Sequence, residues 1–221
     1  YTISYNLSGG SVATANPTSY NVTTASFTLN NPSKTGYTFA GWTGSNGSTA
    51  QTTVTISKGS TGNKSYTANW TANTNTAYKV IHQQMGLDGT TYTTVDTEEK
   101  TGTTGASVTP AVKTYTGFTS PSTQTKTIAA NGSTVVTYKY TRNKYTYTLG
   151  SGTGVTTSGS TESGDYYYGA TITLKASANS GYTWSKWTSS DTNLVANNTT
   201  ANTTFSMPAG KITMTPSATL N

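Results

Sequence analysis

A seven-residue pattern occurs twice in this chain and restricts its fold more than any other feature. Gly36-Tyr37-Thr38-Phe39-Ala40-Gly41-Trp42 recurs as Gly181-Tyr182-Thr183-Trp184-Ser185-Lys186-Trp187, with aromatic side chains at matching offsets of 0, +2 and +5. Side chains alternate across a strand with period 2, so the first two aromatics share a face and the third, at an odd offset, would point away. A β-bulge adds one residue and restores the parity. Gly41 suits that position in the first copy. The pattern therefore predicts a strand, a bulge and an aromatic trio facing one core: Tyr37, Phe39 and Trp42, then Tyr182, Trp184 and Trp187.

The surroundings of the two copies also correspond. Tyr1, Ile3, Tyr5 and Leu7 alternate before the first and end at Gly9-Gly10, while Tyr145, Tyr147 and Leu149 precede the second and end at Gly150 and Gly152. Tyr66, Ala68 and Trp70 follow the first, with Trp70 assigned to its core; Phe205, Ile212 and Met214 follow the second. These are two copies of one β module, residues 1–73 and 143–221. Between them, residues 74–142 form a different β module. It opens with Tyr78-Lys79-Val80-Ile81-His82, turns at Asp88-Gly89 (a type I′ hairpin signal) and at Asn131-Gly132, and closes with Val136, Tyr138 and Tyr140 alternating. The joints Thr71-Ala72-Asn73-Thr74-Asn75 and Thr141-Arg142-Asn143-Lys144 are short, which predicts an elongated three-module rod with limited bending. Thr97-Glu98-Glu99-Lys100 is the one helical signal and is too short to stand alone.

Composition agrees with an all-β class. Leu, Ile, Val and Phe are scarce, yet only 9% of the 221 residues are charged, so just half of the disorder signature is present. Sixteen Tyr, four Trp and abundant Thr supply residues that fit a pleated, half-buried surface. The absence of cysteine excludes disulfides, thiolate metal sites and a Cys nucleophile. No apolar run is long enough for a membrane-spanning helix. The net charge of +6 comes from 13 Lys and Arg scattered singly, whereas nucleic-acid binding needs them clustered. The first residue, Tyr1, already sits in strand-like sequence with no Met or signal peptide before it, as expected of a segment from a longer protein.

The residues carry a family resemblance. Tyr1-x-Ile3-x-Tyr5-x-Leu7-x-Gly9-Gly10, Pro32, Gly36-Tyr37-x-Phe39-x-Gly41-Trp42 and Tyr66-Thr67-Ala68-Asn69-Trp70 resemble an internalin B-type B repeat, also called a Listeria-Bacteroides repeat. Residues 145–221, with Gly181-Tyr182-x-Trp184-x-x-Trp187 and Thr204-Phe205-Ser206-Met207-Pro208-Ala209-Gly210, resemble its divergent form. Residues 78–142, with Leu87-Asp88-Gly89-Thr90, Thr101-Gly102-x-x-Gly105, Tyr115-x-Gly117-Phe118 and Val135-Val136-Thr137-Tyr138-x-Tyr140, are similar to mucin-binding-protein (MucBP-like) repeats. The resemblance implies β-grasp-like, ubiquitin-like sheets and a place in extracellular, wall-attached stalks of bacterial cell-surface proteins, mostly Gram-positive. It carries over no catalytic or binding residue.

Candidate chemistry is sparse. All seven carboxylates lie at or beyond Asp88, so paired-carboxylate acid–base work is impossible in residues 1–87. Asp96, Glu98 and Glu99 lack the Gly turn that would wrap them around calcium and read as a solvated strand end. His82, the only histidine, shares a face with Tyr78 and Val80 and reads as a partly buried strand residue with a satisfied ring, without the nucleophile and orienting group that catalysis needs. Gly150 to Gly154 lacks the Lys and helix of a phosphate loop and reads as a loose connection. Thr-x-Thr runs such as Thr53 and Thr55 lack the short period of an ice-binding solenoid. An isopeptide bond from Lys34, Lys58 or Lys64 lacks the acid it needs; in the later modules an isopeptide, or an ester to Gln83, Gln84 or Gln124, stays open.

Tyr166-Tyr167-Tyr168 cannot all face inward along a strand, so Tyr167 or its neighbours are expected exposed and form the best contact surface for a ligand. The reading is a non-catalytic stalk or adhesion segment, monomeric, with no metal or cofactor and with neighbouring repeats of the same chain as partners. The alternative is a module that recognises a host glycan or surface protein through those tyrosines.

Overall fold

The computed structural model describes all residues from Tyr1 to Asn221 and contains strands and turns but no helix. The chain is all-β, as its Tyr, Thr and Trp content requires. It divides into two compact units. One holds residues 1–80, 98–110 and 124–136, the other 81–97, 111–123 and 137–221. The four-stranded sheets follow a different division, since each draws its strands from one of the stretches 1–73, 74–142 and 143–221. The middle stretch contributes to both units, so compactness does not stop at its two joints.

In the first unit, residues 1–73 form β1 (Ile3–Asn6), β2 (Phe27–Thr28), β3 (Tyr37–Gly44), β4 (Gly47–Gln51), β5 (Thr55–Ile56) and β6 (Lys64–Ala72). The sheet order is β1-β6-β3-β4. First and last strands lie parallel, Ile3 opposite Lys64 and Tyr5 opposite Tyr66, while β3 runs antiparallel to β6. The register between β3 and β6 shifts between Phe39 and Gly41, which is the bulge that the odd offset demands. Its extra residue is Ala40; Gly41, expected there, pairs with Asn69 and is needed instead for its φ of 126° and the close approach of the Gln51 backbone. The effect of the bulge is to turn Trp42 inward. Trp42 is fully buried among Ile3, Tyr20, Leu29, Val54, Ile56, Tyr66 and Ala68, with Phe39 and Trp70 packed against that core. The long connections close over the sheet as irregular backbone pinned by polar clamps. Asn16 and Asn30 exchange side-chain-to-backbone bonds of 2.9 and 2.6 Å, and the Tyr20 hydroxyl donates to Gly62 O at 2.6 Å.

The middle stretch supplies β7 (Thr76–Met85), β8 (Tyr92–Gly102), β9 (Ser107–Val108), β10 (Phe118–Thr119), β11 (Lys126–Thr127) and β12 (Thr134–Arg142), with sheet order β10-β12-β7-β8 and a small β9/β11 ladder. Burial alternates along β7 and β12, as their sequences require. In the first unit Tyr78, Val80, Ile128 and Val136 are buried; in the second, His82, Tyr138 and Tyr140 are. Asp88-Gly89 does not form the two-residue type I′ hairpin. Only Gly89 has positive φ there, whereas type I′ needs it at both central residues. The loop spans Gly86 to Thr91, closed by Gly86 N–H to Thr91 O at 2.8 Å. Residues Thr97 to Lys100 are strand, inside β8.

The second unit also holds β13 (Lys144–Leu149), β14 (Val155–Thr156), β15 (Gly164–Tyr167), β16 (Thr171–Leu174), β17 (Ser177–Ala178), β18 (Tyr182–Ser189), β19 (Thr203–Ser206) and β20 (Ile212–Leu220). Sheet order is β15-β13-β20-β18, with β13 and β20 parallel. Ser185 is the bulged residue between Trp184 and Lys186. Three strands thus repeat the first sheet: β13, β20 and β18 correspond to β1, β6 and β3. The fourth joins opposite edges, β4 beside β3 but β15 beside β13.

Strand register corrects the sequence pairing of the closing strands. Trp42 lies opposite Ala68 and Trp187 opposite Pro216, so Tyr66, Ala68 and Trp70 correspond to Met214, Pro216 and Ala218. Phe205 belongs to β19, paired with Ile172. Gly150 to Gly154 is also tighter than a loose connection: Gly150 N–H donates to Met214 O at 2.8 Å, and Tyr182 lies directly on Gly154.

Candidate functional site

The aromatic residues singled out by spacing occupy three different environments. Trp42 and Trp187 are fully buried. Phe39, Trp70 and Trp184 are partly buried and pack against the two cores, with edge-on contacts of 5.4 Å from Phe39 to Trp42 and 5.7 Å from Trp184 to Trp187. Tyr37 and Tyr182, expected in the same trios, lie half-buried outside both cores. Each follows a turn glycine at the first position of its strand, where the sheet ends and the core no longer reaches.

Tyr166, Tyr167 and Tyr168 are all half-buried, so Tyr167 is not the exposed residue that alternation predicts. The strand β15 ends at Tyr167, and alternation ends with it. Tyr166 packs edge-on against Tyr147, 6.1 Å away, and its hydroxyl donates to Glu162 O at 2.7 Å. Tyr167 carries the Lys144 ammonium over its ring at 4.7 Å and sets its hydroxyl against Gly89. Tyr168 lies on Gly117 and meets Phe118 edge-on at 6.1 Å. The three rings are spent on contacts within the fold.

Several ionisable side chains are likewise engaged. His82 Nδ1 lies 2.8 Å from the Tyr140 hydroxyl, and that hydroxyl accepts from Lys113 N–H at 2.7 Å. Asp96 pairs with Lys113, whose ammonium is the first cause of a lowered Asp96 pKa. Glu99 faces Lys79 at 3.4 Å and Glu98 faces Lys100 at 3.9 Å. Asp88 accepts from the N–H groups of Thr90 and Thr91, both at 2.9 Å, and these bonds hold its carboxyl down at about 2. Its role is to close the Gly86–Thr91 loop. No three His, Asp or Glu side chains converge in a metal-binding cluster.

What stands out instead is a pair of matching junctions built from backbone, Thr, Asn and Gly. At the first, Asn73 N–H donates to Gly36 O at 3.0 Å, and the Thr38 hydroxyl donates to Asn73 Oδ1 at 2.7 Å. The next stretch completes it: Thr104 N–H donates to Asn73 O at 2.9 Å, the Thr104 hydroxyl to Gly36 O at 2.8 Å, and Ala130 covers Gly36. At the second, Asn143 N–H donates to Gly117 O at 2.9 Å and the Thr119 hydroxyl to Asn143 Oδ1 at 2.6 Å. Tyr168 N–H then donates to Asn143 O at 2.8 Å, while its ring covers Gly117. Both glycines have φ near +80° (79° and 81°) and no room for a Cβ, so no other residue serves there without strain or overlap.

These junctions work as clasps. A single Asn, one residue past the end of a strand, is held by the strand beside it and in turn holds the following stretch. Arg142 reinforces the second clasp from the residue before Asn143. Its guanidinium donates to Met85 O at 2.9 Å and Tyr168 O at 2.6 Å, and stacks on Phe118 at 4.8 Å. Inspection of the sequence yields Gly36-Tyr37, Gly117-Phe118 and the two joints but not their pairing. The signal that links them is Gly-aromatic-Thr matched to a later Thr-x-Asn: Thr71-Ala72-Asn73 and Thr141-Arg142-Asn143.

Comparison with known families agrees with this repeat construction. Residues 1–69 match the family model of the Listeria-Bacteroides repeat domain, and residues 145–217 match that of the divergent InlB B-repeat domain. Two stretches of the chain are thus similar to repeat domains of this kind, and neither model describes an enzyme. No curated protein matches the chain.

Proposed function

We propose that this chain is a non-catalytic structural segment of an extracellular, wall-attached bacterial surface protein, in which small β modules are joined in series to carry or space other parts of the molecule. The modules are residues 1–73, 74–142 and 143–221. The outer two are helix-free variants of the β-grasp sheet, a reading supported by their parallel first and last strands. The middle one is a repeat of the mucin-binding-protein type.

The observation that carries the proposal is the clasp, made twice at successive joints from the same backbone groups and the same Thr and Asn. A ligand-binding module would invest its aromatic and charged side chains in an open surface. Here Tyr166, Tyr167 and Tyr168 make contacts within the fold, Asp88 closes a loop, and Asp96, Glu98 and Glu99 are held in ion pairs. The function lies in linkage.

The test is to apply the full chain, as a monomer verified by light scattering, to arrays of host glycans and to immobilised host surface proteins. No saturable binding is expected. Specific binding abolished by Tyr167→Ala, in a variant with unchanged melting, would replace this proposal with glycan or host-protein recognition.

A further inference from the structure

The clasp occurs a third time, with its outer side uncovered. Asn221 N–H donates to Gly181 O at 3.0 Å, and the Thr183 hydroxyl donates to Asn221 Oδ1 at 2.6 Å. Strand register is the same at all three. Tyr37 lies opposite Ala72, Phe118 opposite Arg142 and Tyr182 opposite Leu220, so each Asn follows the residue paired with the aromatic. Gly181 has φ 83°, beside 79° and 81° at the other two. The sequence keeps the pairing in Gly181-Tyr182-Thr183 and Thr219-Leu220-Asn221.

The difference is on the outer face. Ala130 covers Gly36 and Tyr168 covers Gly117, but apart from Gly181 itself and its two neighbours in the chain no atom lies within 4 Å of where a Cβ on Gly181 would stand. Nothing within residues 143–221 uses the room beside that glycine, although its backbone is held in the same left-handed conformation as the two covered ones.

We infer that Gly181, Thr183 and Asn221 form a docking site for a further β module continuing the chain after Asn221, of the same kind as residues 74–142. The inference rests on the structural reading above and extends it. Three features select that occupant. The Gly181 clasp closes a sheet built like that of residues 1–73, whose own clasp receives residues 74–142. The incoming module must offer one backbone N–H to Asn221 O, as Thr104 offers one to Asn73 O. It must also place a small apolar group on Gly181, as Ala130 is placed on Gly36. Both requirements are met by backbone and a methyl group. The site therefore selects a shape and a chain direction, with no charged partner involved.

The experiment extends the full chain by a second copy of residues 74–221, fused directly after Asn221, and follows hydrogen exchange by mass spectrometry. In the first copy the Thr104 amide serves as an internal standard for a closed clasp. The corresponding amide of the second copy is expected to match its protection. Gly181→Asn, which tolerates left-handed backbone while placing a side chain on the docking face, should lower protection at the second-copy amide roughly tenfold or more, the factor expected when about one net hydrogen bond is lost. It should leave the first-copy amide unchanged, and melting of the unextended chain nearly so. Fast exchange at the second-copy amide, whether that copy is undocked or unfolded, overturns the inference, as does protection indifferent to Gly181→Asn. The structural reading would survive that failure, because it falls only to specific ligand binding.

Discussion

Replacing Trp42 by alanine tests the central packing argument. Trp42 is 0% exposed, and its ring meets Phe39, Tyr5 and Tyr66 at centroid distances of 5.4, 5.9 and 6.4 Å. A buried Trp removes about 200 Å² from water, which at about 25 cal/mol per Å² corresponds to about 5 kcal/mol. The β-carbon that remains recovers a part, and lost edge-on ring contacts with an incompletely collapsed cavity add a part. The net cost is about 3–5 kcal/mol. The indole N–H bond to Asn31 Oδ1, 3.1 Å, adds little because Asn31 is exposed and water can take the donor's place. For a segment of this size the loss corresponds to a melting decrease of about 15–30 °C. A chain of several modules does not unfold in one step, so the assay is hydrogen exchange resolved by strand. Protection should collapse in β1, β3 and β6 and persist in β13 and β20. Tyr37→Ala, at a half-buried site outside the core, should cost about 1 kcal/mol. Equal effects from the two substitutions, or unchanged protection in β6 of Trp42→Ala, would refute the assignment.

Three further outcomes are expected. Tyr140→Phe removes the acceptor for Lys113 N–H and the partner of His82 Nδ1 and should cost about 1–3 kcal/mol in urea denaturation; an unchanged midpoint would deny that network a role. Tyr147 is buried with no hydrogen-bond partner for its hydroxyl, and burial first, then Tyr166, pushes its pKa up to about 12. A raised folded pKa gives stability that is complete below the unfolded value near 10 and declines as pH rises through about 12, so residues 143–221 should lose stability at alkaline pH and lose less of it in Tyr147→Phe; residues 1–73 should weaken as well, because burial, then Tyr66, pushes Tyr5 up to about 12. Finally, Lys113 and Asp96 meet at a partly exposed site with side chains 36% and 40% accessible, unlike the dry pocket that amide formation needs, so intact-mass measurement should give the sequence mass, with no loss of water or ammonia.

The parts of this fold that follow from a period of two were legible in the sequence. The bulges after Phe39 and Trp184 follow from parity alone, and burial alternates along β12 as Val136, Tyr138 and Tyr140 predict. What escaped depends on residues far apart in sequence or at the ends of elements. Alternation assigned Tyr37 and Tyr182 to the core because it marks a face and not where along the strand the core stops. The exposed Tyr167 failed for a similar reason: Lys144 and the Gly86–Thr91 loop supply cover that no local rule foresees. Asp88-Gly89 carries a hairpin signal, yet the carboxylate's bonds to Thr90 and Thr91 favour a wider loop. The clasps stayed hidden because each joins residues more than twenty positions apart through groups that every Thr and Asn possesses.

The parallel pairing of first and last strands has a mechanical meaning. In each outer module the chain enters at the start of one strand and leaves at the end of its parallel neighbour, β1 beside β6 and β13 beside β20. Tension drawn through such a module slides the two strands lengthwise. The hydrogen bonds of the ladder are then loaded together in shear, where an antiparallel terminal pair would open like a zipper, one bond after another. A segment with few aliphatic residues and no disulfide can in this way resist traction far better than its modest cores would suggest, because the direction of pull, and not the depth of packing, sets how many bonds must fail at once.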